Sequence, residues 1–97
     1  MLAYVVLGNW TDQGIRNVKE TAKREDAFRE LCGKFGAQVK DVYRTMGRYD
    51  VVAIVDAPND GAMSTILYSL GATGNIRTET LRGFTRQETD QAIAKMA

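Results

Sequence analysis

The sequence contains no histidine and only one cysteine. Without histidine, Ser-His and Cys-His catalytic arrangements, histidine-ligated haem and most zinc sites are excluded. Cys32 has no second cysteine to pair with, so the chain cannot form an internal disulfide and nothing requires an oxidising compartment. We therefore expect neither a metal site nor a cofactor.

An excess of one charge and long apolar runs are also missing. Thirteen Lys and Arg residues against twelve Asp and Glu leave a net charge of +1, which gives no electrostatic reason to expect nucleic acid or an anionic membrane as a partner. No apolar run approaches the roughly 18 residues of a membrane span. The N-terminal apolar run breaks at Gly8 and has no basic residues before it, so it predicts a strand and not a signal peptide. We expect a soluble, cytoplasmic protein.

What is present is typical of a small globular domain. Apolar residues make up 44% of the 97 residues and charged residues 26%. A chain of this length buries about two-thirds of its unfolded surface, so the core is modest. We expect one domain that spans residues 1–97.

The apolar pattern predicts the order βαββαβ followed by a C-terminal helix. The predicted strands are residues 2–9, 37–46, 49–57 and 75–84. The predicted helical regions are residues 12–35, which can be interrupted near Thr21, residues 58–71, and a short helix that begins at a capping box of Thr85 and Glu88. Cys32 lies on the apolar face of the first region and is interpreted as a core residue.

This order is that of a ferredoxin-like α+β fold, an antiparallel sheet with strand order 4-1-3-2. Strands 1 and 3 are apolar on both faces, as central strands should be, while strands 2 and 4 are more polar. Two helices cover only one face of such a sheet. We therefore expect the other face to pack against a second copy, which makes the protein a homo-oligomer. The alternative is that the C-terminal helix folds across that face.

The stretch "TMGRYDVVAIVDAPNDG" carries the most distinctive pattern. Gly47-Arg48 predicts a two-residue II′ turn with positive φ at Gly47, so that Tyr49 and Asp50 begin strand 3. The chain here resembles the GYD domain family through Gly47, Tyr49 and Asp50. The stretches "NWTDQGIRNV" and "GNIRTETLRGFT" also look like that family, so the resemblance covers nearly the whole chain. It implies a ferredoxin-like, dimeric α+β barrel protein and no particular reaction or catalytic residue.

The predicted topology brings three distant segments to one end of the sheet, namely residues 10–16, 47–50 and 71–77. Gly14, Gly71 and Gly74 would allow close backbone approach there. The candidate ligand-binding residues at this end are Trp10, Thr11, Gln13, Arg16, Tyr49, Asp50, Asn75 and Arg77.

Each of these residues also has a structural interpretation. Asp50 can simply be an ionised carboxylate held by N–H groups of the first helix or by Arg77. Tyr49 can be a packed ring with a hydrogen-bonded hydroxyl, and Trp10 a core or interface residue. Arg16 lies by default on a solvated face.

Three functions stay open at the level of sequence. The first is a non-enzymatic oligomeric domain that binds a small molecule, an anion being one option. The second is a small cofactor-independent enzyme that uses Asp50 as general acid or base. The third is a structural or protein-interaction domain. RNA-binding domains share this order of elements, but their third strand presents several aromatic residues, and this one has only Tyr49.

Overall fold

The computed structural model describes residues 1–97 and contains four strands and four α-helices. The strands are β1 (Leu2–Trp10), β2 (Gln38–Arg44), β3 (Val51–Ala57) and β4 (Ile76–Gly83). The helices are α1 (Asp12–Arg16), α2 (Thr21–Lys34), α3 (Asp60–Gly71) and α4 (Arg86–Ala94), with a 3₁₀ turn at Val18–Glu20 between α1 and α2. No helix has both the length and the apolar character needed to cross a membrane.

The four strands form one antiparallel sheet in the order β2-β3-β1-β4. This confirms the predicted ferredoxin-like α+β topology, with the two most apolar strands in the centre. Val6 of β1 pairs with Ala53 of β3, and this register places the buried side chains of both strands on the same face of the sheet.

The hydrophobic core lies between that face and helices α2 and α3. Its central residues come from the sheet and from both helices: Val55 from the sheet, Cys32 from α2, and Met63 and Ile66 from α3. Each is at most 2% exposed. Residues four apart on α2, Phe28 and Cys32, lie on one helix face because of the 3.6-residue period. The prediction that Cys32 belongs to the core is therefore confirmed.

Helix ends follow the local sequence. Gly36 has φ of 72°, and the N–H groups of Gly36 and Ala37 donate to the carbonyls of Gly33 and Cys32, which closes α2 with a Schellman motif. The Asn59 side chain accepts from the N–H of Ala62 at the start of α3. The Thr85–Glu88 capping box predicted for the last helix is present.

One local prediction was wrong. The connection between β2 and β3 is not a two-residue hairpin but a six-residue loop, 45–50, closed by a hydrogen bond from the Thr45 N–H to the Asp50 carbonyl at 2.9 Å. Gly47 nevertheless has positive φ, 101°, as expected. Helix α3 ends at Gly71, as predicted, and the positive φ of the turn that follows is at Gly74, 80°.

The second face of the sheet carries no helix. Its central residues, Val5 and Leu7 of β1 and Val52 and Ile54 of β3, are only half-buried. Helix α4 does not cover them, because none of its residues is buried. The alternative in which the C-terminal helix folds across this face is therefore wrong.

Candidate functional site

The start of α1 is joined to the start of β4 by four hydrogen bonds. The Thr11 N–H donates to the Asn75 carbonyl at 3.0 Å, and the Thr11 hydroxyl donates to the Gly74 carbonyl at 2.6 Å. The Gln13 side-chain amide donates to the Thr73 carbonyl at 3.3 Å and to Asn75 Oδ1 at 2.9 Å. Two of the three segments that the sequence predicted to converge therefore do meet.

Gly14 makes this junction sterically feasible. A β-carbon at Gly14 would lie 1.9 Å from the carbonyl oxygen of Asn75, far closer than any contact between such atoms. The Gly14 N–H also donates to the Thr11 hydroxyl at 3.0 Å, which caps α1. Gly14 therefore has the close backbone approach predicted for it, whereas a β-carbon at Gly71 would have no neighbour within 4 Å.

Asp50 joins the third segment to the other two. Its Oδ2 accepts a hydrogen bond from the backbone N–H of Trp10 at 2.9 Å, and its own N–H donates to the Gly8 carbonyl at 2.9 Å. The carboxylate is held by the end of β1, so the expectation of a partner in the first helix or of Arg77 was wrong. The physical reason is that the loop before β3 runs beside β1, the central strand next to it in the sheet.

Tyr49 points to a different surface. Its hydroxyl donates to Glu79 Oε2 at 2.7 Å, and this hydrogen bond is the main reason why the pKa of Tyr49 is raised. Since Glu79 is on β4 and β1 lies between β3 and β4, the tyrosine side chain spans β1. The expectation of a hydrogen-bonded hydroxyl holds, but Tyr49 does not join the cluster around Trp10.

Arg16 and Arg77, the two remaining candidates, are exposed and take part in no ion pair. The structure thus brings together five of the eight candidates and leaves Arg16, Tyr49 and Arg77 apart. The five are Trp10, Thr11, Gln13, Asp50 and Asn75.

A cavity of about 160 Å³ lies next to this cluster, between the sheet and α2. Trp10 and Asn75 line it at the cluster end. Most of the remaining lining is apolar and comes from the core faces of β1, β2, β3 and α2, including Val6, Phe28, Leu31, Val42, Val51 and Ala53. Asp50 is not among the lining residues.

Three charged side chains also line the cavity, and each is already paired. Arg24 donates to the carbonyls of Gly14 and Asn17 at 3.0 and 2.9 Å, and its guanidinium carbon lies 5.4 Å from the centre of the Trp10 ring. Arg44 contacts Glu25 Oε1 at 2.5 Å.

Glu25 is held by two arginines. The hydrogen bond from Arg44 is the largest cause of the lowered pKa of Glu25, and a second hydrogen bond from Arg29 adds to it. Arg24 has no carboxylate partner, but its guanidinium already donates to two backbone carbonyls and stacks on Trp10. A mostly apolar lining whose charged groups already have partners suits a small apolar group better than an anion.

The sequence pattern identifies the apolar residues that line the cavity but not the charged residues. The helical spacing of Phe28 and Leu31 placed both on the core face of the first helical region. Arg24, Glu25 and Arg44 carry no such signal, because charged residues on a helix or an edge strand normally face solvent. Their pairing depends on the distance between α2 and β2, which only the folded chain defines.

Metal and thiol chemistry find no support in the structure. No group of three or more Cys, Asp and Glu side chains is close enough to hold a metal ion. Burial raises the pKa of the Cys32 thiol to about 11, so at neutral pH the group is a protonated core side chain and not a nucleophile.

The fold and the Gly47–Asp50 loop can now be compared with known proteins. The family model for the GYD domain matches residues 4–93. The chain belongs to the GYD domain family. A Thermus thermophilus protein described as "glutamine synthetase and cystathionine beta-lyase binding protein" is 30% identical over 82 residues, which cover 84% of this chain and 86% of that protein.

A solved structure supports the fold of this GYD domain. The crystal structure of TTHA0845 from Thermus thermophilus superposes with a TM-score of 0.57 at 25% sequence identity. The match covers 88% of this chain and 95% of the other. The agreement extends over almost the whole βαββαβ unit, so it is not limited to the signature loop.

Proposed function

We propose that this GYD domain is a non-catalytic binding protein that takes up a small, mainly apolar molecule in the cavity beneath α2. The observation that carries the proposal is the cavity itself: about 160 Å³, lined mostly by apolar side chains, beside the Trp10 and Asn75 end of the candidate cluster. A space of this size holds a ligand about as large as benzene.

The cluster around Trp10 supports this proposal as a scaffold. Thr11, Gln13 and Asp50 use their polar atoms to join β1, the loop before β3 and the start of β4. In this role they keep the cavity wall in place and do not contact the ligand. Arg24, stacked on Trp10, and the Arg44–Glu25 pair supply the polar rim.

Trp10 provides a direct test because it is the only tryptophan in the chain and lines the cavity. We expect benzene and toluene to change the fluorescence of Trp10 and to raise the melting temperature, since a ligand that binds only the folded state stabilises it. Inorganic phosphate should do neither. Binding of phosphate without binding of the apolar probes would contradict the proposal.

A cavity-filling variant makes the test specific. Val42→Phe places a larger side chain in the cavity wall and should abolish the response to benzene and toluene. Val18→Phe is the matched control, because Val18 is 41% exposed and is not a cavity residue. If Val42→Phe folds and still responds like the unsubstituted protein, the ligand binds elsewhere.

Protein binding is a second candidate function, and two observations favour it. The Thermus relative carries a description as a binding protein for two enzymes. The helix-free face of the sheet, with Val5, Leu7, Val52 and Ile54 half-buried at its centre, also resembles the apolar centre of an interface. We propose that a second copy occupies this face, which leaves the edges of the sheet and the helix layer for other proteins.

A further inference from the structure

The two edges of the sheet differ in how well they are protected. At the β2 edge the ladder is interrupted by a register shift between Val39 and Asp41, and Arg29 donates to the Val39 carbonyl at 3.2 Å. Bulges and covering side chains prevent such an edge from pairing with another strand. At the other edge, β4 runs from Ile76 to Gly83 in unbroken register with β1.

The free edge of β4 presents unpaired backbone groups. Because the Thr11 N–H donates to the Asn75 carbonyl, the odd-numbered residues of β4 are those that hydrogen-bond to β1. Ile76, Thr78 and Thr80 therefore direct their N–H and C=O groups outward. No side chain in the protein hydrogen-bonds to these groups.

A groove of about 550 Å³ runs along this edge, between β4 and α3. Ser64, Leu67 and Gly71 lie one helical turn apart on the side of α3 that faces it. Tyr68, which is 79% exposed, stands beside them. Arg77 is the single charged residue that borders the groove, and it has no ion pair.

We propose that the β4 edge and this groove bind an extended, acidic segment of a partner protein, which adds to the sheet as a fifth strand. Outward N–H and C=O groups are satisfied by another extended backbone, and the groove accepts alternate side chains of that segment. The unpaired Arg77 selects an acidic residue. The inference rests on the second candidate function, protein binding, and is independent of the ligand cavity.

The test uses a phage-displayed library of random ten-residue peptides, selected on the full-length protein. We expect the selected peptides to contain Asp or Glu and to lack internal proline. The best peptide is then synthesised with a fluorescent label and titrated by fluorescence polarisation. N-methylation of alternate peptide bonds should weaken binding in one register and leave it unchanged in the other, because a strand pairs through every second residue.

Two variants of the protein locate the binding surface. Thr78→Pro removes one outward N–H without removing a hydrogen bond to β1. It should weaken the binding of the peptide about tenfold or more. Thr78→Val, which keeps the N–H, is its control.

Arg77→Glu reverses the charge at an exposed position and should weaken the binding of an acidic peptide about tenfold, while Arg77→Lys should restore most of the affinity. Circular dichroism and melting temperatures verify that all four variants fold.

Several results would overturn the inference. If selected peptides bind Thr78→Pro and Arg77→Glu as tightly as the unsubstituted protein, protein binding stands but occurs at another surface. If the library yields no binder, the inference fails, while the second candidate function stands for partners that bind through folded surfaces. If Thr78→Pro instead reduces the oligomer size in sedimentation, the β4 edge is an interface between copies of this chain and not a peptide site.

Discussion

Gly33 and Gly47 both have open space where a β-carbon would lie, yet their backbones differ. Neither position has an atom within 4 Å of an added β-carbon. Gly33 lies in the last turns of α2, while Gly47 has φ of 101° in the loop before β3. Side-chain clashes are therefore absent at both, and any difference between substitutions there reports backbone strain alone.

We expect Gly47→Ala to lower the free energy of unfolding by about 1 kcal/mol, because an L-residue rarely adopts this positive φ. Gly33→Ala is the matched control and should raise it by about 0.5–1 kcal/mol, since alanine is the better helix former. Urea denaturation of the two variants and the parent measures both effects. Equal behaviour of the two variants would show that the loop relaxes freely around Gly47.

Asp50 illustrates how a signature residue can be structural. Its carboxylate accepts the N–H of Trp10, the last residue of β1, just before the chain turns into α1. A buried N–H left without an acceptor costs about 1–3 kcal/mol. Gly47, with φ of 101°, lies in the same loop, so both signature residues have a structural role in the connection between β2 and β3.

At the scale of elements, α2 and β2 are held together by an ion-pair cluster at the rim of the cavity. Glu25 and Arg29 belong to α2 and Arg44 to β2, with Glu25 between the two arginines. The side chain of Glu25 is 23% exposed, so the cluster is partly shielded from solvent. The lowered pKa of Glu25, caused first by Arg44, shows that folding stabilises its ionised form.

This lowered pKa predicts how stability depends on pH. The contribution of Glu25 to stability is fully present above its unfolded pKa, near its ordinary value of 4.5, and is lost as the pH falls through the folded pKa. Glu25→Gln should therefore destabilise the protein by about 1 kcal/mol at pH 7 and by progressively less below about pH 4.5. Thermal unfolding between pH 2.5 and 7 measures the difference.

Glu30→Gln is the control for this experiment, because Glu30 lies on the same helix, is exposed and forms no ion pair. Its effect should be small at every pH. A Glu25→Gln effect that persists unchanged in acid would mean that the side chain contributes by packing and not by charge.

At the scale of the whole molecule, the chain is more extended than its length requires. The radius of gyration is 14.7 Å, whereas a compact chain of this length has about 12.5 Å. One cause is α4, which has no buried residue and whose only ion pair to the rest of the protein joins Glu88 to Arg82. The other cause is the sheet, which is covered on one side only. Both features suit a subunit of a larger assembly.

We expect the protein to sediment as a dimer or larger species at micromolar concentration, through the helix-free face. Ile54 lies at the centre of that face, where it pairs with Val5 of β1 and Asp41 of β2. Ile54→Lys should shift the protein towards the monomer, because a lysine at the centre of an apolar interface loses its hydration without gaining a partner.

Ile15→Lys is the control, since Ile15 is 51% exposed on α1, in the helix layer. It should leave the sedimentation coefficient unchanged. A monomeric parent protein would contradict the proposed assembly outright, and an Ile54→Lys variant with the parent's oligomeric state would move the interface to another surface.

The sequence by itself determined the order of elements and the identity of the central strands, whereas the structure decided that α4 leaves the second face of the sheet uncovered. β1 and β3 could be recognised as central because they are apolar on both faces, and α2 and α3 could be recognised by apolar residues that recur with a period of 3.6. The capping box of Thr85 and Glu88 was equally recognisable, because its two residues are only three positions apart. Local signals of this kind need no knowledge of the folded chain.

Only the tertiary structure decided which side chains the candidate site contains. Whether Asp50 meets Arg77 or the Trp10 N–H depends on the path of a six-residue loop beside β1, and the pairing of Arg44 with Glu25 depends on the spacing of a strand and a helix. The cavity likewise exists because the side chains of α2 and of the sheet do not fill the space between them. No single stretch of the sequence shows this difference in volume. Such features arise where residues distant in the sequence share one space, and their geometry is set by all the elements around them.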